Sequence, residues 1–185
     1  QDLLTAANDL ALEYGVPFII HLSETENEVA QVKEKYAKRP VAHLHSLDIL
    51  GPHLVADHCV HLNQEEIELL SEAGVKVIHN PESNMKLASG IAPVPDMLKQ
   101  GITVGLGTDG CASNNDLDLF TEMDTAAKLH KVNKMDTTVM DAATVLRMAT
   151  SEGAKAIGMG DMIGSLEKGK KGAVSYTHLR AHETK

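Results

Sequence analysis

Four short apolar segments rich in β-branched residues alternate with longer segments of helical periodicity, and this alternation constrains the fold more than any other feature. The predicted strands are 16–22, 54–60, 75–79 and 102–106. The predicted helices are 2–14, 26–38, 64–73, 95–100, 117–131 and 138–150, the last begun by a capping pattern, Thr138-x-x-Asp141. This order favours a parallel sheet covered by helices, so we predict an α/β fold.

Each predicted strand runs into polar residues that could hold a metal ion. The first ends at His21, the second at His58, the third at His79 and the fourth at Thr108-Asp109-Gly110. The carboxyl ends of parallel strands are where α/β barrels place their chemistry. Four strands cannot close the eight-stranded barrel of this fold. This interpretation therefore predicts the C-terminal half of a (β/α)8 TIM barrel, with the chain beginning inside a helix. An open doubly wound sheet is the alternative.

Four of these residues suggest metal-dependent hydrolysis. His21 and Glu24 form a His-x-x-Glu pair, Asp109 lies in a glycine-flanked turn, and His58 ends a strand. Zinc in hydrolytic sites binds imidazole nitrogen and carboxylate oxygen and lowers the pKa of a bound water. A carboxyl group such as that of Glu24 could supply a proton. From these residues alone, the alternative is that His21, Glu24 and Asp109 only form hydrogen bonds within their loops and bind no metal.

Four longer motifs carry a family resemblance. They are His-Leu-Ser-Glu at 21–24, Asp-His-Cys-Val-His-Leu at 57–62, the segment 79–93 beginning His-Asn-Pro-Glu-Ser-Asn, and Leu-Gly-Thr-Asp-Gly-Cys-Ala-Ser-Asn-Asn at 106–115. Together they resemble the amidohydrolase superfamily, and within it the branch that deaminates 5-methylthioadenosine and S-adenosylhomocysteine. The resemblance extends over residues 2–171.

The resemblance implies a role for each site residue. His21 and Asp109 would bind a divalent metal, most often zinc with iron as the alternative, and Asp109 would also shuttle a proton. Glu24 would protonate the substrate ring nitrogen, so that Glu24 and Asp109 both contact the substrate, and His58 would orient and polarise the attacking water. The implied reaction is hydrolytic deamination of an adenine nucleoside to the inosine product and ammonia.

Two departures from the family pattern affect the predicted boundaries. The family carries a His-x-His pair of metal ligands before the segment that matches His21; His43-Leu44-His45 has that spelling but is interpreted as a chance match. We predict a partial barrel domain over 1–163 and the start of a return to a β-sandwich over 164–172. Residues 173–185 resemble a non-native tail, in which His178 and His182 have no assigned role.

Composition limits the partners of the protein. The formal net charge of the 185 residues is −9, without a basic cluster, so we expect no nucleic-acid partner. No apolar run is as long as a membrane span or resembles a signal peptide, and Cys59 and Cys111 are too few for a disulfide scaffold. We therefore expect a cytoplasmic protein with a small-molecule nucleoside substrate and no membrane partner. A homo-oligomer is compatible with these features.

Three functions remain open on the sequence. The first is adenine-nucleoside deamination, which the fragment alone would not perform. The second is the same chemistry on another ring, as in guanine deaminases or triazine chlorohydrolases. The third is a half-barrel that binds metal without catalysis.

Overall fold

The computed structural model describes residues 2–172 and contains one parallel sheet. Its strands are β1 (Phe18–Leu22), β2 (Leu54–His58), β3 (Lys76–His79) and β4 (Val104–Leu106). They lie side by side in chain order, and every neighbouring pair is parallel. The predicted α/β alternation is therefore confirmed, and all four strands end at the same edge of the sheet.

Nine helices accompany the strands within residues 2–172. They are α1 (Asp2–Tyr14), α2 (Glu26–Tyr36), α3 (Pro40–His45), α4 (Gln64–Glu72), α5 (Pro81–Lys86), α6 (Val94–Lys99), α7 (Leu119–Lys134), α8 (Ala142–Ala149) and α9 (Ser151–Ala156). Sequence periodicity missed α3, α5 and α9, each of six residues, although it located α6, which is equally short.

The predicted cap of α8 was wrong. The helix begins after Asp141, whose side chain accepts a hydrogen bond from the backbone N–H of Thr144. Thr138 instead donates its backbone N–H and its hydroxyl to Asp136, in a turn before the helix. Asp141 satisfies one of the free N–H groups of the first helical turn, so it is the N-cap.

The sheet buries one face against helices. Alternating strand residues, including Leu54, Ala56, Val77 and Val104, join the main hydrophobic core with residues of α4, α6 and α8. On the other face, α9 approaches β4 closely: a Cβ on Gly105 would lie 3.0 Å from the Cα of Gly153. The pair of glycines therefore permits backbone-to-backbone packing that larger residues would prevent.

The backbone turns sharply where the strands end. Ser23, His58, Cys59 and Asp109 all have positive φ angles, of 53°, 68°, 48° and 59°. This conformation is unfavourable for residues other than glycine, and it ends β2 at His58 rather than at the predicted residue 60. Strained backbone of this kind is characteristic of functional sites.

The remaining predicted segments have different outcomes. His43 lies in α3, where its ring stacks on Tyr36 with centroids 3.9 Å apart. The predicted tail, 173–185, lies outside the described residues. The return to a β-sandwich over 164–172 stays a prediction. Among the described residues, none of the helices is long and apolar enough to span a membrane.

Candidate metal centre

Three side chains converge at the carboxyl edge of the sheet. His21 lies in β1, His58 is the last residue of β2, and Asp109 follows β4. One ligand atom from each of the three lies within 4.8 Å of the others, so a single ion could contact them all. The rings of His21 and His58 are stacked with centroids 5.0 Å apart. His21 is exposed and His58 is fully buried.

The hydrogen bonds of His58 define which ring nitrogen faces the site. Its Nδ1 lies 2.8 Å from Oδ1 of Asn84, so Nδ1 carries a proton and donates it to that oxygen. Its Nε2 is buried and has no hydrogen-bond partner among residues 2–172. A buried nitrogen without a partner is unfavourable, and a metal ion or a water molecule would relieve it.

Two serines hold the carboxylate of Asp109. Its Oδ2 accepts hydrogen bonds from Ser83 Oγ at 2.7 Å and from Ser113 Oγ at 2.6 Å. Burial alone would raise the pKa of Asp109, but these bonds, together with the backbone N–H of Gly110 and the nearby His58, hold the pKa below its usual value. The carboxylate is therefore kept ionised, the state in which it can bind a cation.

Glu24 lies beside the three ligand candidates but outside their group. Its Oε2 is 4.0 Å from Nε2 of His58, and its Oε1 accepts a hydrogen bond from Ser89. The backbone N–H groups of Ser23 and Glu24 both donate to the carboxylate of Glu28 at 2.7 Å. This arrangement fixes the turn after β1 and leaves the Glu24 carboxyl group free to act on a bound molecule.

A further acidic residue at the site, Asp57, was missed by the sequence analysis. It pairs with His21 in the strand register, and Asn80 donates to its Oδ1 at 3.3 Å. Burial raises the pKa of Asp57. Gly107 makes room for this pair, because a Cβ there would lie 2.4 Å from Oδ1 of Asn80. Only the alternation of side chains along β2 could have indicated that Asp57 faces the site.

Helix α5 packs behind the site. The sequence left two interpretations of it open: Asn80, Ser83, Asn84 and Lys86 could line the site, or they could form an Asn-Pro turn with local hydrogen bonds. Ser83 contacts Asp109 and Asn84 contacts His58. Lys86 donates to the backbone oxygens of Ala112 and Asn114, in the loop after β4. One short helix therefore holds residues from two different strand ends.

The donor set suits a divalent transition metal. Two imidazoles and a carboxylate are ligands that zinc and iron both accept. The unpartnered Nε2 of His58 and the ionised carboxylate of Asp109 are ready to interact with a cation or its coordinated water. The residues present therefore fit a metal.

Comparison with known proteins identifies the family. Residues 1–175 match the amidohydrolase family, so the chain belongs to it. A 5-methylthioadenosine/S-adenosylhomocysteine deaminase of Syntrophobacter fumaroxidans is 66% identical over 168 residues, which are 91% of this chain and 38% of that protein. A 5'-deoxyadenosine deaminase of Methanopyrus kandleri is 52% identical over 169 residues, covering 91% and 39%.

Solved structures give the same fold. An adenosine deaminase of Xanthomonas campestris with bound zinc superposes with a TM-score of 0.88 at 47% identity, over 90% of this chain and 38% of that one. Atrazine chlorohydrolase of Arthrobacter aurescens, complexed with zinc, superposes with a TM-score of 0.86 at 30% identity, over 91% of this chain and 37% of that one. The predicted barrel fold of the metal-dependent hydrolases is thereby confirmed. The chain spans about two fifths of the length of these relatives.

Proposed function

We propose that this chain forms part of a zinc-dependent deaminase of adenine nucleosides of the 5-methylthioadenosine/S-adenosylhomocysteine type. The observation that carries the proposal is the convergence of His21, His58 and Asp109 within 4.8 Å, with Glu24 beside them. The deaminase names of the similar proteins support the reaction and the class of substrate.

His21 and Asp109 would hold the metal in this proposal. When bound, the metal would lower the pKa of a coordinated water so that hydrolysis proceeds near neutral pH. His58 would orient that water: because its Nδ1–H is committed to Asn84, its Nε2 can only accept a hydrogen bond. His58 is thereby set up to accept a hydrogen bond from the water.

Glu24 and Asp109 would move the protons of the reaction. The carboxyl group of Glu24 would donate to the ring nitrogen next to the carbon under attack, which makes that carbon more electrophilic. Asp109 would accept a proton from the attacking water and pass it to the amino group, which leaves as ammonia. A low pKa suits the first half of that task, because Asp109 must begin ionised.

Two competing functions use the same residues. A triazine or guanine hydrolase would apply this chemistry to another ring, but identity to the triazine enzyme is 30% against 66% for the nucleoside deaminase. A protein that binds metal without catalysis would keep His21 and Asp109 without needing Glu24.

We place the protein in the cytoplasm, where its unpaired Cys59 and Cys111 would stay reduced.

Ammonia release tests the proposal. The chain is assayed with zinc, alone and co-expressed with the part of the Syntrophobacter relative that precedes the matched region. We expect no activity alone, and release from 5-methylthioadenosine or S-adenosylhomocysteine in the combined protein. In the latter, Asp109→Asn and Glu24→Gln should each lower kcat at least about 100-fold, whereas Asp9→Asn on exposed α1 should not. Full turnover by Asp109→Asn at full zinc occupancy would refute the assigned role.

A further inference from the structure

Glu122 is a buried carboxylate to which the proposed reaction gives no role. It lies in α7 and has 0% exposure. Its two oxygens accept hydrogen bonds from different segments: Oε1 from Asn114 Nδ2 at 2.6 Å, and Oε2 from the backbone N–H of Glu82 at 3.2 Å. Ionised carboxylates are rarely buried without a specific reason.

The first of these segments is the loop that carries Asp109. Asn114 is 3% exposed and organises the loop through its side chain. Its Nδ2 also donates to the backbone oxygen of Thr108 at 2.9 Å, next to Asp109, and its Oδ1 accepts from the N–H of Asn115 at 2.7 Å. Glu122 fixes the orientation of this amide, because a carboxylate can only accept.

The second segment is the beginning of α5. Glu82 is followed directly by Ser83, which binds Asp109, and by Asn84, which binds His58. The side chain of Glu82 also accepts a hydrogen bond from Thr125 of α7. Helices α5 and α7 are thus joined at the turn from which both supporting side chains project.

We infer that Glu122 is a positioning residue for the metal centre, because its carboxylate ties the Asp109 loop, through Asn114, to the start of α5, through the Glu82 N–H. This inference rests on the metal site proposed above.

The energetics of Glu122 agree with a positioning role. Burial and, to a smaller extent, the charges of Glu82 and Asp116 raise the pKa of Glu122 to about 7, although its two hydrogen bonds lower it. The ionised form is therefore held at a cost to stability. Residues kept under such a cost are more common at functional sites than elsewhere.

A zinc titration against a chelating dye tests the inference. Glu122→Gln leaves one oxygen and puts a donor in place of the other, so one of the two bonds is lost. We expect its zinc Kd to rise about 10-fold, the usual scale for groups that orient metal ligands. The matched control is Glu66→Gln: Glu66 is also buried and pairs with Arg39, but it caps α4. Glu66→Gln should lower the stability of the fold but change the zinc Kd by no more than about twofold, well below the rise expected for Glu122→Gln.

The outcomes separate the inference from the proposed function. Zinc binding by the wild type together with an unchanged Kd in Glu122→Gln, or an equal weakening in Glu66→Gln, would overturn the positioning role alone. Failure of the wild-type chain to bind zinc even when combined with the preceding part of the Syntrophobacter relative would overturn the metal site and the inference together. Glu122→Asp keeps two acceptor oxygens and should recover part of the affinity.

A second measurement needs no variant. The backbone N–H of Glu82 donates a hydrogen bond to Glu122, and its hydrogen exchange should slow when zinc binds to the wild-type chain. The backbone N–H of Glu66 donates to the Asn63 side chain, and its exchange rate should not change. An equal response at both amides, or no response at Glu82, would contradict the inference.

Discussion

The Nδ1 of His58 and the Oδ1 of Asn84 lie 2.8 Å apart inside the protein and join the end of β2 to helix α5. This bond decides the protonation pattern of the ring, because the proton on Nδ1 leaves Nε2 as an acceptor at the site. The orientation of one buried amide therefore sets the chemistry that His58 can offer.

Replacing Asn84 should impair the metal centre more than the fold. Asn84→Ala leaves the buried Nδ1–H of His58 without a partner, at about 1–3 kcal/mol, and frees the ring to change tautomer. In the combined protein we expect kcat to fall about 10- to 100-fold, because His58 would no longer be oriented toward the attacking water. Asn63→Ala, which removes the cap of α4 at about 1 kcal/mol, is the control for stability. Equal kcat values for the two variants would show that Asn84 does not orient His58.

Removing Ser83 and Ser113 should shift the pH dependence of zinc binding. The hydrogen bonds from these hydroxyls help to hold the pKa of Asp109 down. In Ser83→Ala/Ser113→Ala only the Gly110 N–H and His58 would still oppose burial, so the pKa would rise. Zinc needs the ionised carboxylate. Affinity should therefore begin to fall at a higher pH than in the wild type as the solution is acidified. The control is Ser71→Ala, whose hydroxyl binds Gln100 away from the site; identical pH midpoints in all three proteins would contradict this.

The buried pair His79 and His130 should make the fold sensitive to acid. Their Nε2 atoms are 3.0 Å apart, and burial lowers the pKa of His130 to about 4 and that of His79 well below its usual value. The unfolded chain binds more protons between about pH 4 and 6.5, so the free energy of unfolding rises with pH across this window and then levels off.

Urea unfolding at several pH values checks the effect of the histidine pair. His130 alone should contribute about 3 kcal/mol of pH-dependent stability. His130→Gln should flatten the dependence, whereas His45→Gln, at an exposed position, should not. A wild-type curve as flat as that of His130→Gln would rule out the neutral pair.

Glu122 should make the free energy of unfolding depend on pH in the opposite direction to the histidine pair. Its pKa is raised from 4.5 to about 7, so the folded protein binds the additional proton. Its contribution to stability is full below about pH 4.5, falls as the pH rises to about 7, and is constant above that. The free energy of unfolding of Glu122→Gln, relative to the wild type, should therefore increase by roughly 3 kcal/mol between these pH values. A difference that does not depend on pH would show that Glu122 is already ionised at pH 5.

The sequence was sufficient to locate the strands and the polar residues that meet at their ends. β-branched runs located all four strands, and the polar residue after each run pointed to the carboxyl edge, where His21, His58 and Asp109 meet. The strand limits were less accurate. The first prediction began at residue 16, but Pro17 cannot donate to a ladder and β1 begins at Phe18.

The sequence indicated that Ser83 and Asn84 could line the site, but it could not indicate what they contact. Their partners, Asp109 and His58, are each 26 residues away in the chain. The periodicity over 117–131 predicts that Phe120, Met123, Ala127 and His130 share the buried face of α7. This was partly wrong, because Phe120 is 69% exposed, while Glu122, Ala126 and His130 are buried. A hydrophobic pattern cannot anticipate a buried face with two titratable residues.

The short connection between β3 and α5 limits how this site can change during evolution. A single residue, Asn80, separates His79 from Pro81. Inserting one residue there would lengthen this connection and move Ser83 and Asn84 away from Asp109 and His58 together. Natural length variation should therefore accumulate away from the site, for example between α2 and β2, and insertion libraries should find the junction at Asn80 intolerant.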